Sequence, residues 1–226
     1  AYSSLSTTLD SKGKYFKVID NAVFNMNGMM NITLDSTAEQ VKNATRKESY
    51  KWNSESSTFA GNFDGNGAVI YNIYANDSYA GLFPNINTNN TDKSVTISNI
   101  TVKASCFMAY HYAGGIVGLA SASTTSQKLN FSQCAVVNCY ITDNNSTNPV
   151  CERTSGTIAG AVGHNGTTIN NCLAKDNILV STNIKGGFIG NTSGYSPDVR
   201  IMSSISIGTL PYPTLMAGST KTLESH

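Results

Sequence analysis

Acidic side chains are the residues of this chain with the most obvious capacity for chemistry, because paired carboxylates can act as general acid and base or hold calcium. They are scattered along the chain, and most of them lie beside Asn, Ser or Gly, as turn residues do. They include Asp20, Asp35, Asp64, Asp77, Asp92, Asp143, Asp176 and Asp198. We therefore expect no catalytic pair of carboxylates.

Asp64 and Asn66, in the segment DGNG, are the candidate calcium ligands. An EF-hand loop would need a glutamate at its twelfth position, and counting from Asp64 that position is Ala75. The segment is therefore predicted to form a structural turn, and we expect no metal site and no cofactor.

Histidine and cysteine could supply a base, a nucleophile or a metal ligand. His111 and His164 are read as solvated corner residues, and the chain has no Gly-x-Ser-x-Gly, HExxH, P-loop or GxGxxG motif. None of the cysteines has CxxC spacing, so free buried thiols are expected. The five are Cys106, Cys134, Cys139, Cys151 and Cys172. The sequence predicts a protein that is not an enzyme.

Aromatic residues are the remaining candidates for contact with a ligand. Outward-facing rings could stack on sugars or hold a protein partner, although the same residues could instead form a satellite cluster that covers the first coil. The candidate contact residues are Trp52, Tyr71, Tyr74, Tyr79, Tyr110 and Tyr112.

Composition limits the class of partner. The net charge is +1 and 13% of residues are charged, so no basic surface for nucleic acid is expected. No apolar run approaches the length of about 18 residues that inserts into a membrane. The polar residues are mainly Ser, Thr and Asn, which suit a β architecture with many turns.

Two short patterns alternate along the chain. The first contains apolar residues around a polar step, at residues 70–75 (IYNIYA), 97–102 (ISNITV), 131–136 (FSQCAV), 169–174 (INNCLA) and 201–206 (IMSSIS). The second is glycine-rich, at residues 80–83 (AGLF), 114–118 (GGIVG), 159–163 (AGAVG) and 186–190 (GGFIG). Unequal intervals between units suggest loops of different length inserted into a constant frame, as solenoids allow.

These units are too short and too rich in glycine and β-branched residues for helices, so they are predicted to be strands. Parallel stacking of equivalent strands explains the repeat better than a meander, which would need tight turns. We predict an all-β, single-stranded, right-handed parallel β-helix of about four or five irregular coils, with one short helix in the N-terminal half.

The repeat residues have expected structural roles. Paired glycines are expected to adopt positive φ at corners and to let backbones approach closely. Asn72, Asn99 and Asn171 are assigned one position, as an amide ladder or a left-handed turn, and Cys134 and Cys172 another, as an inward thiol column. The glycines assigned to the repeat are Gly65, Gly67, Gly81, Gly114, Gly115, Gly118, Gly160, Gly163, Gly186, Gly187 and Gly190.

Residues 59–73 (FAGNFDGNGAVIYNI) resemble the first coil of GLUG-motif β-helix proteins, and residues 113–118 and 186–190 resemble the GLUG repeats themselves. Pro84 stands where that family often has glycine. The family occurs in bacterial surface proteins, including adhesin-like proteins and the non-catalytic region of immunoglobulin-A-cleaving metalloproteases. The resemblance implies a right-handed parallel β-helix and an extracellular setting, but no single activity.

One domain is expected over residues 1–226. It would comprise an N-terminal lead-in or cap at 1–58, repeat coils at 59–208, and a tail or linker at 209–226. A helix over 36–47, with capping-box spacing between Ser36 and Glu39, is expected to cap the N-terminal end. The chain starts at Ala1 without Met, so a mature product or a fragment of a larger protein is expected.

The predicted function is a non-enzymatic extracellular or cell-surface module for structure or adhesion. Its expected partner is a host or matrix glycan or protein, held by loops on the β-helix. Two alternatives stand beside this prediction. One is a carbohydrate-active β-helix enzyme, and the other is a filament or surface-layer subunit that associates end to end.

Overall fold

The computed structural model describes residues 11–19, 21–50, 58–87, 94–121, 128–143, 154–163, 166–181, 184–192 and 199–208. Within these ranges the chain forms short strands and one helix. In chain order they are β1 (Tyr15–Lys17), β2 (Val23–Asn25), α1 (Ala38–Asn43), β3 (Asn62–Tyr71), β4 (Tyr74–Ala80), β5 (Phe83–Asn87), β6 (Val95–Lys103), β7 (Cys106–Gly114), β8 (Val117–Ser121), β9 (Leu129–Ser132), β10 (Ala135–Val137), β11 (Tyr140–Asp143), β12 (Thr154–Gly156), β13 (Ala159–Gly163), β14 (Thr167–Asn170), β15 (Leu173–Lys175), β16 (Ile178–Val180), β17 (Ile184–Gly186), β18 (Ile189–Asn191), β19 (Val199–Met202) and β20 (Ile205–Ile207).

The strands form three parallel sheets that stack coil upon coil. The first sheet contains β1, β2, β3, β6, β9, β10, β14, β15, β19 and β20; the second contains β4, β7, β11, β12, β16 and β17; the third contains β5, β8, β13 and β18. From β5 to β18 the chain makes about three turns, so four coils contribute to every sheet. The predicted all-β parallel solenoid is confirmed.

The register between coils corrects the first repeat unit. Ile97 pairs with Phe63, whereas Ile70 pairs with Val102. Phe131 then pairs with Ile97 in the next coil. The unit assigned to residues 70–75 therefore belongs at 63–70. The misassignment has a physical cause, because each coil has two left-handed bends and residues 70–73 form the second one, with a similar local pattern.

Both bends use left-handed backbone. The first bend lies within the first sheet and contains Asn66, Asn99, Gln133, Asn171 and Ser203, and their φ values lie between 47° and 55°. The second contains Asn72, Ala104, Asn138, Asp176 and Gly208, whose φ values are also positive. The prediction that Asn72 shares a position with Asn99 and Asn171 is therefore wrong. Asparagine tolerates this conformation better than most residues, which explains its abundance here.

The glycine-rich units serve close approach. Gly118 and Gly160 are in register, and an added Cβ on Gly160 would lie 2.6 Å from the Ala113 nitrogen and 2.7 Å from the Gly118 oxygen. Positive φ among the described glycines occurs at Gly13, Gly67, Gly166 and Gly208, so the expected left-handed role of the paired glycines is wrong. They are required because the backbones of adjacent coils leave no room for a side chain.

The third glycine unit is also displaced from its predicted position. Gly156 pairs with Gly114 and with Gly186, so the equivalent unit is 156–160 (GTIAG). Gly163 pairs with Ser121 and lies outside the glycine columns. Pro84 is in register with Gly118, which agrees with its predicted place in the first unit.

A single apolar core fills the space between the sheets. In the first sheet, Phe63, Ile97, Phe131 and Ile169 form one column that points inward. Phe107 and Phe188 are also fully buried within this core. Burial of each such side chain contributes about 1.5–3 kcal/mol. Stacking of the coils buries these apolar side chains, which a single coil could not do alone.

Helix α1 is shorter than predicted, and it does not lie at the end of the stack. Its N-cap is Thr37, whose side chain accepts from the Gln40 nitrogen, while the Ser36 hydroxyl accepts from the Thr33 nitrogen. Val41 packs with Cys106 from the second coil and with Tyr140 from the third. The helix therefore packs along the side of the second sheet, and the expectation that it caps an end is wrong. The strands β1 and β2, which form one layer, cover part of that end instead by pairing with β3.

Candidate functional site

The predicted contact residues separate into three groups. Trp52 lies outside the described residues. Tyr71 ends β3 and pairs with Asn25 and Lys103 in the first sheet. Tyr74 begins β4 and packs against the apolar cluster under α1. Tyr74 therefore packs within the fold, and Tyr71 is half-buried in its sheet.

Tyr79 and Tyr112 come together on the outer face of the second sheet. They pair across adjacent coils, and their rings stack with centroids 5.7 Å apart and planes at 5°. The next residue on each strand, Ala80 and Ala113, is buried in the core. Because successive side chains on a strand point to opposite faces, the two tyrosines face away from the core.

A β-bulge brings two further aromatic residues to this place. Asp77 pairs with Ala109 but Tyr79 pairs with Tyr112, so Tyr110 and His111 together oppose Ser78. The His111 ring lies 5.9 Å from that of Tyr79, and the Tyr110 side chain is 42% exposed. Bulges commonly redirect side chains in this way. We call Tyr79, Tyr110, His111 and Tyr112 the aromatic patch.

His111 is not among the predicted contact residues. The prediction that it is a solvated corner residue is wrong, because it lies within a strand and against two tyrosine rings. Its position directly between two tyrosines in the sequence was the available signal. The bulge that places all three on one side depends on pairing with β4 and is not visible in β7 alone.

Two acidic residues share a column near the patch. Asp77 and Asp143 both pair with Ala109, one from each neighbouring coil, which separates them by two layers or about 10 Å. Ala109 is buried in the core between them. The Asp77 carboxylate accepts from the Ser78 nitrogen at 2.7 Å. The arrangement therefore does not place two carboxylates in one open groove.

Asp64 is the centre of a hydrogen-bond network. Its Oδ1 accepts from the Asn66 nitrogen at 2.8 Å and from Asn99 Nδ2 at 2.9 Å. Its Oδ2 accepts from the Tyr15 hydroxyl at 3.0 Å, and Lys17 Nζ lies 3.7 Å away. This is the geometry of a structural turn that ties three layers together. Within the part of the chain that the structure describes, no group of acidic, histidine or cysteine side chains could hold a metal ion.

The same network holds the pKa of Asp64 below its usual range, mainly through the Asn99 amide and then through the Asn66 N–H. A carboxyl whose pKa is lowered by folding stabilises the protein above its unfolded pKa and loses that effect as the pH falls through its folded pKa.

Asp64→Asn should therefore lower the free energy of unfolding by about 1–3 kcal/mol at neutral pH. The difference between variant and wild type should shrink below about pH 4, as measured by urea unfolding across pH. Asp35→Asn, at a carboxylate whose side chain is 92% exposed, should change little at any pH. A pH-independent difference for Asp64→Asn would contradict the assignment.

The described thiols are buried and free. Cys134 and Cys172 lie at equivalent positions of adjacent coils, and their thiols donate to backbone carbonyls, for example Cys134 Sγ to the Ile97 oxygen at 3.4 Å. The hydrogen bond with Cys172 and burial together raise the pKa of Cys134. Burial raises the pKa of Cys106 to about 11 and that of Cys139 to about 12. The raised pKa values make Cys106, Cys134 and Cys139 poor nucleophiles at neutral pH. Cys151 and His164 lie outside the described residues.

The described helix is too short and too polar to cross a membrane. Comparison of the chain with protein-family models, with curated proteins and with solved structures gave no match.

Proposed function

We propose that this chain is a non-enzymatic adhesion module of an extracellular protein, and that the aromatic patch binds a glycan. The observation that carries the proposal is the outward stack of Tyr79 and Tyr112 beside the exposed Tyr110. The family resemblance in residues 59–73 and 113–118 supports an extracellular adhesive role independently of the patch.

The chemistry of the patch suits sugar rings. Aromatic faces and edges pack against the apolar C–H surface of a pyranose, while tyrosine hydroxyls and an imidazole supply hydrogen bonds to its hydroxyls. Tyrosine also contributes a large contact area with little conformational entropy to lose. Because β4 and β7 are held in a continuous sheet, the rings are positioned before a ligand arrives.

A non-catalytic role is supported by how the reactive groups are engaged. Both oxygens of Asp64 accept hydrogen bonds within the fold. The Cys106 and Cys139 thiols are buried and protonated at neutral pH. These groups stabilise coils, and their arrangement favours a scaffold over an enzyme.

The proposal is tested by binding the whole chain to a panel of immobilised extracellular polysaccharides and matrix proteins. Tyr110→Ala and Tyr112→Ala should each weaken glycan binding about tenfold, the effect of losing roughly 1.4 kcal/mol of contact. Tyr71→Ala is the control, because Tyr71 is half-buried in the first sheet, away from the patch. Equal binding by all three variants, or no binding of wild type to any glycan, would refute the proposal.

A further inference from the structure

Large apolar side chains are exposed at both edges of the first sheet. Val23 on β2 and Ile205 on β20 are each 56% exposed. Tyr15 and Phe24 accompany Val23 at the N-terminal edge, and Met202 and Ile207 accompany Ile205 at the C-terminal edge. Monomeric proteins rarely leave such side chains grouped on the rim of a sheet.

The exposure arises from a missing layer on each side. Val23 and Ile205 are the first and last members of one column, which passes through Val69, Thr101, Ala135 and Leu173. All four interior members are half-buried, because each has a neighbouring strand on both sides. A further layer against either edge would bring Val23 and Ile205 to the same state.

Within the described residues, β1 and β2 pair only with β3, while β19 pairs only with β14 and β20 only with β15. Among the described strands, each edge is therefore paired on one side only, which is the template for adding a strand.

The two edges are complementary to each other. They are the opposite ends of one parallel sheet, so a second copy can place β19 and β20 directly over β1 and β2 with the strand direction preserved. In the register of the interior coils, Ile201 would lie over Phe16, Ile205 over Val23 and Arg200 over Tyr15. This continues the apolar columns and brings no two like charges together.

We propose that copies of this chain stack head to tail through these two edges, continuing the first sheet from one molecule into the next. The contact is heterologous, since the two surfaces differ, so it leads to open fibres and not to closed dimers. It is independent of the glycan proposal, and Tyr110→Ala should assemble like wild type.

The test is sedimentation equilibrium of the whole chain over a range of concentrations. The mass of wild type should rise with concentration, whereas Val23→Lys and Ile205→Lys should each remain monomeric. An equimolar mixture of these two variants should form dimers and nothing larger, because each variant retains one intact edge. Met30→Lys is the matched control, since Met30 is 48% exposed, bonds through its nitrogen to the Thr45 oxygen and belongs to none of the four edge strands, and it should associate like wild type.

Three outcomes would overturn the proposal. They are a monomeric wild type at every concentration, a single edge variant that still forms dimers by itself, and a mixture that remains monomeric. Far-UV circular dichroism checks that the variants fold. Tyr15→Lys and Ile207→Lys repeat the experiment at a second position of each edge if a first variant does not fold.

Discussion

Replacing Phe131 by Ala should lower the free energy of unfolding by about 3–5 kcal/mol, the range found for large-to-small changes at buried aromatic positions. Phe131 is fully buried and stands between Ile97 and Ile169 in the inward column of the first sheet. Its loss would leave a cavity at the centre of the stack, where neighbouring coils are held in register and cannot collapse to fill it. Urea unfolding followed by circular dichroism measures the change.

The control for this change is the adjacent residue. Asn130→Ala alters a half-buried side chain on the outer face of the same strand, and its effect should stay within about 1 kcal/mol. Phe131→Leu should fall between the two. If Phe131→Ala and Asn130→Ala cost the same, the inward column would not carry the stability assigned to it.

Gly160→Ala should destabilise the fold by about 3 kcal/mol, at the upper end of the usual cost of overpacking. The added Cβ would meet backbone atoms of Ala113, Gly118 and Tyr112 in the neighbouring coil, at 2.6–2.8 Å. Backbone cannot rotate aside as a side chain can, so the two coils would have to separate locally. The free energy of unfolding, measured by urea titration, should show the loss.

Gly13→Ala distinguishes the cost of a positive φ from the cost of close backbone approach. Gly13 has a φ of +66° and nothing within 4 Å of an added Cβ, so only the left-handed conformation is penalised there. That penalty is roughly 1–2 kcal/mol. A cost at Gly160 no greater than that at Gly13 would contradict the explanation by close approach.

The repeated units predicted the fold class because each pattern indicates the local backbone structure of its own segment. Alternating apolar residues, glycines and asparagines specify strands, close contacts and left-handed corners one segment at a time. The corner residues Asn99 and Asn171 and the inward Cys134 and Cys172 were found in this way. Their equivalence needed only the comparison of one segment with another.

The register of the first coil could not be predicted in the same way. Residues 63–70 and 70–75 both resemble the unit at 97–102. The correct choice depends on which residues of β3 pair with β6. The position of α1 was likewise hidden. Its apolar face could cover an end or a side of the stack. In the structure it packs on the side, against Cys106 and Tyr140 from two different coils.

Local pattern in the sequence was sufficient for the parallel stack and for most of the residues that build it, since strand, turn and close approach each depend on a few neighbouring residues. Only the tertiary structure decided which layers lie in register, where α1 packs, and that a bulge in β7 joins Tyr110 and His111 to the stack of Tyr79 and Tyr112. The physical reason is the same in each case. These features depend on pairing between coils that are about thirty residues apart, and a solenoid sets that pairing through contacts between layers, not within them.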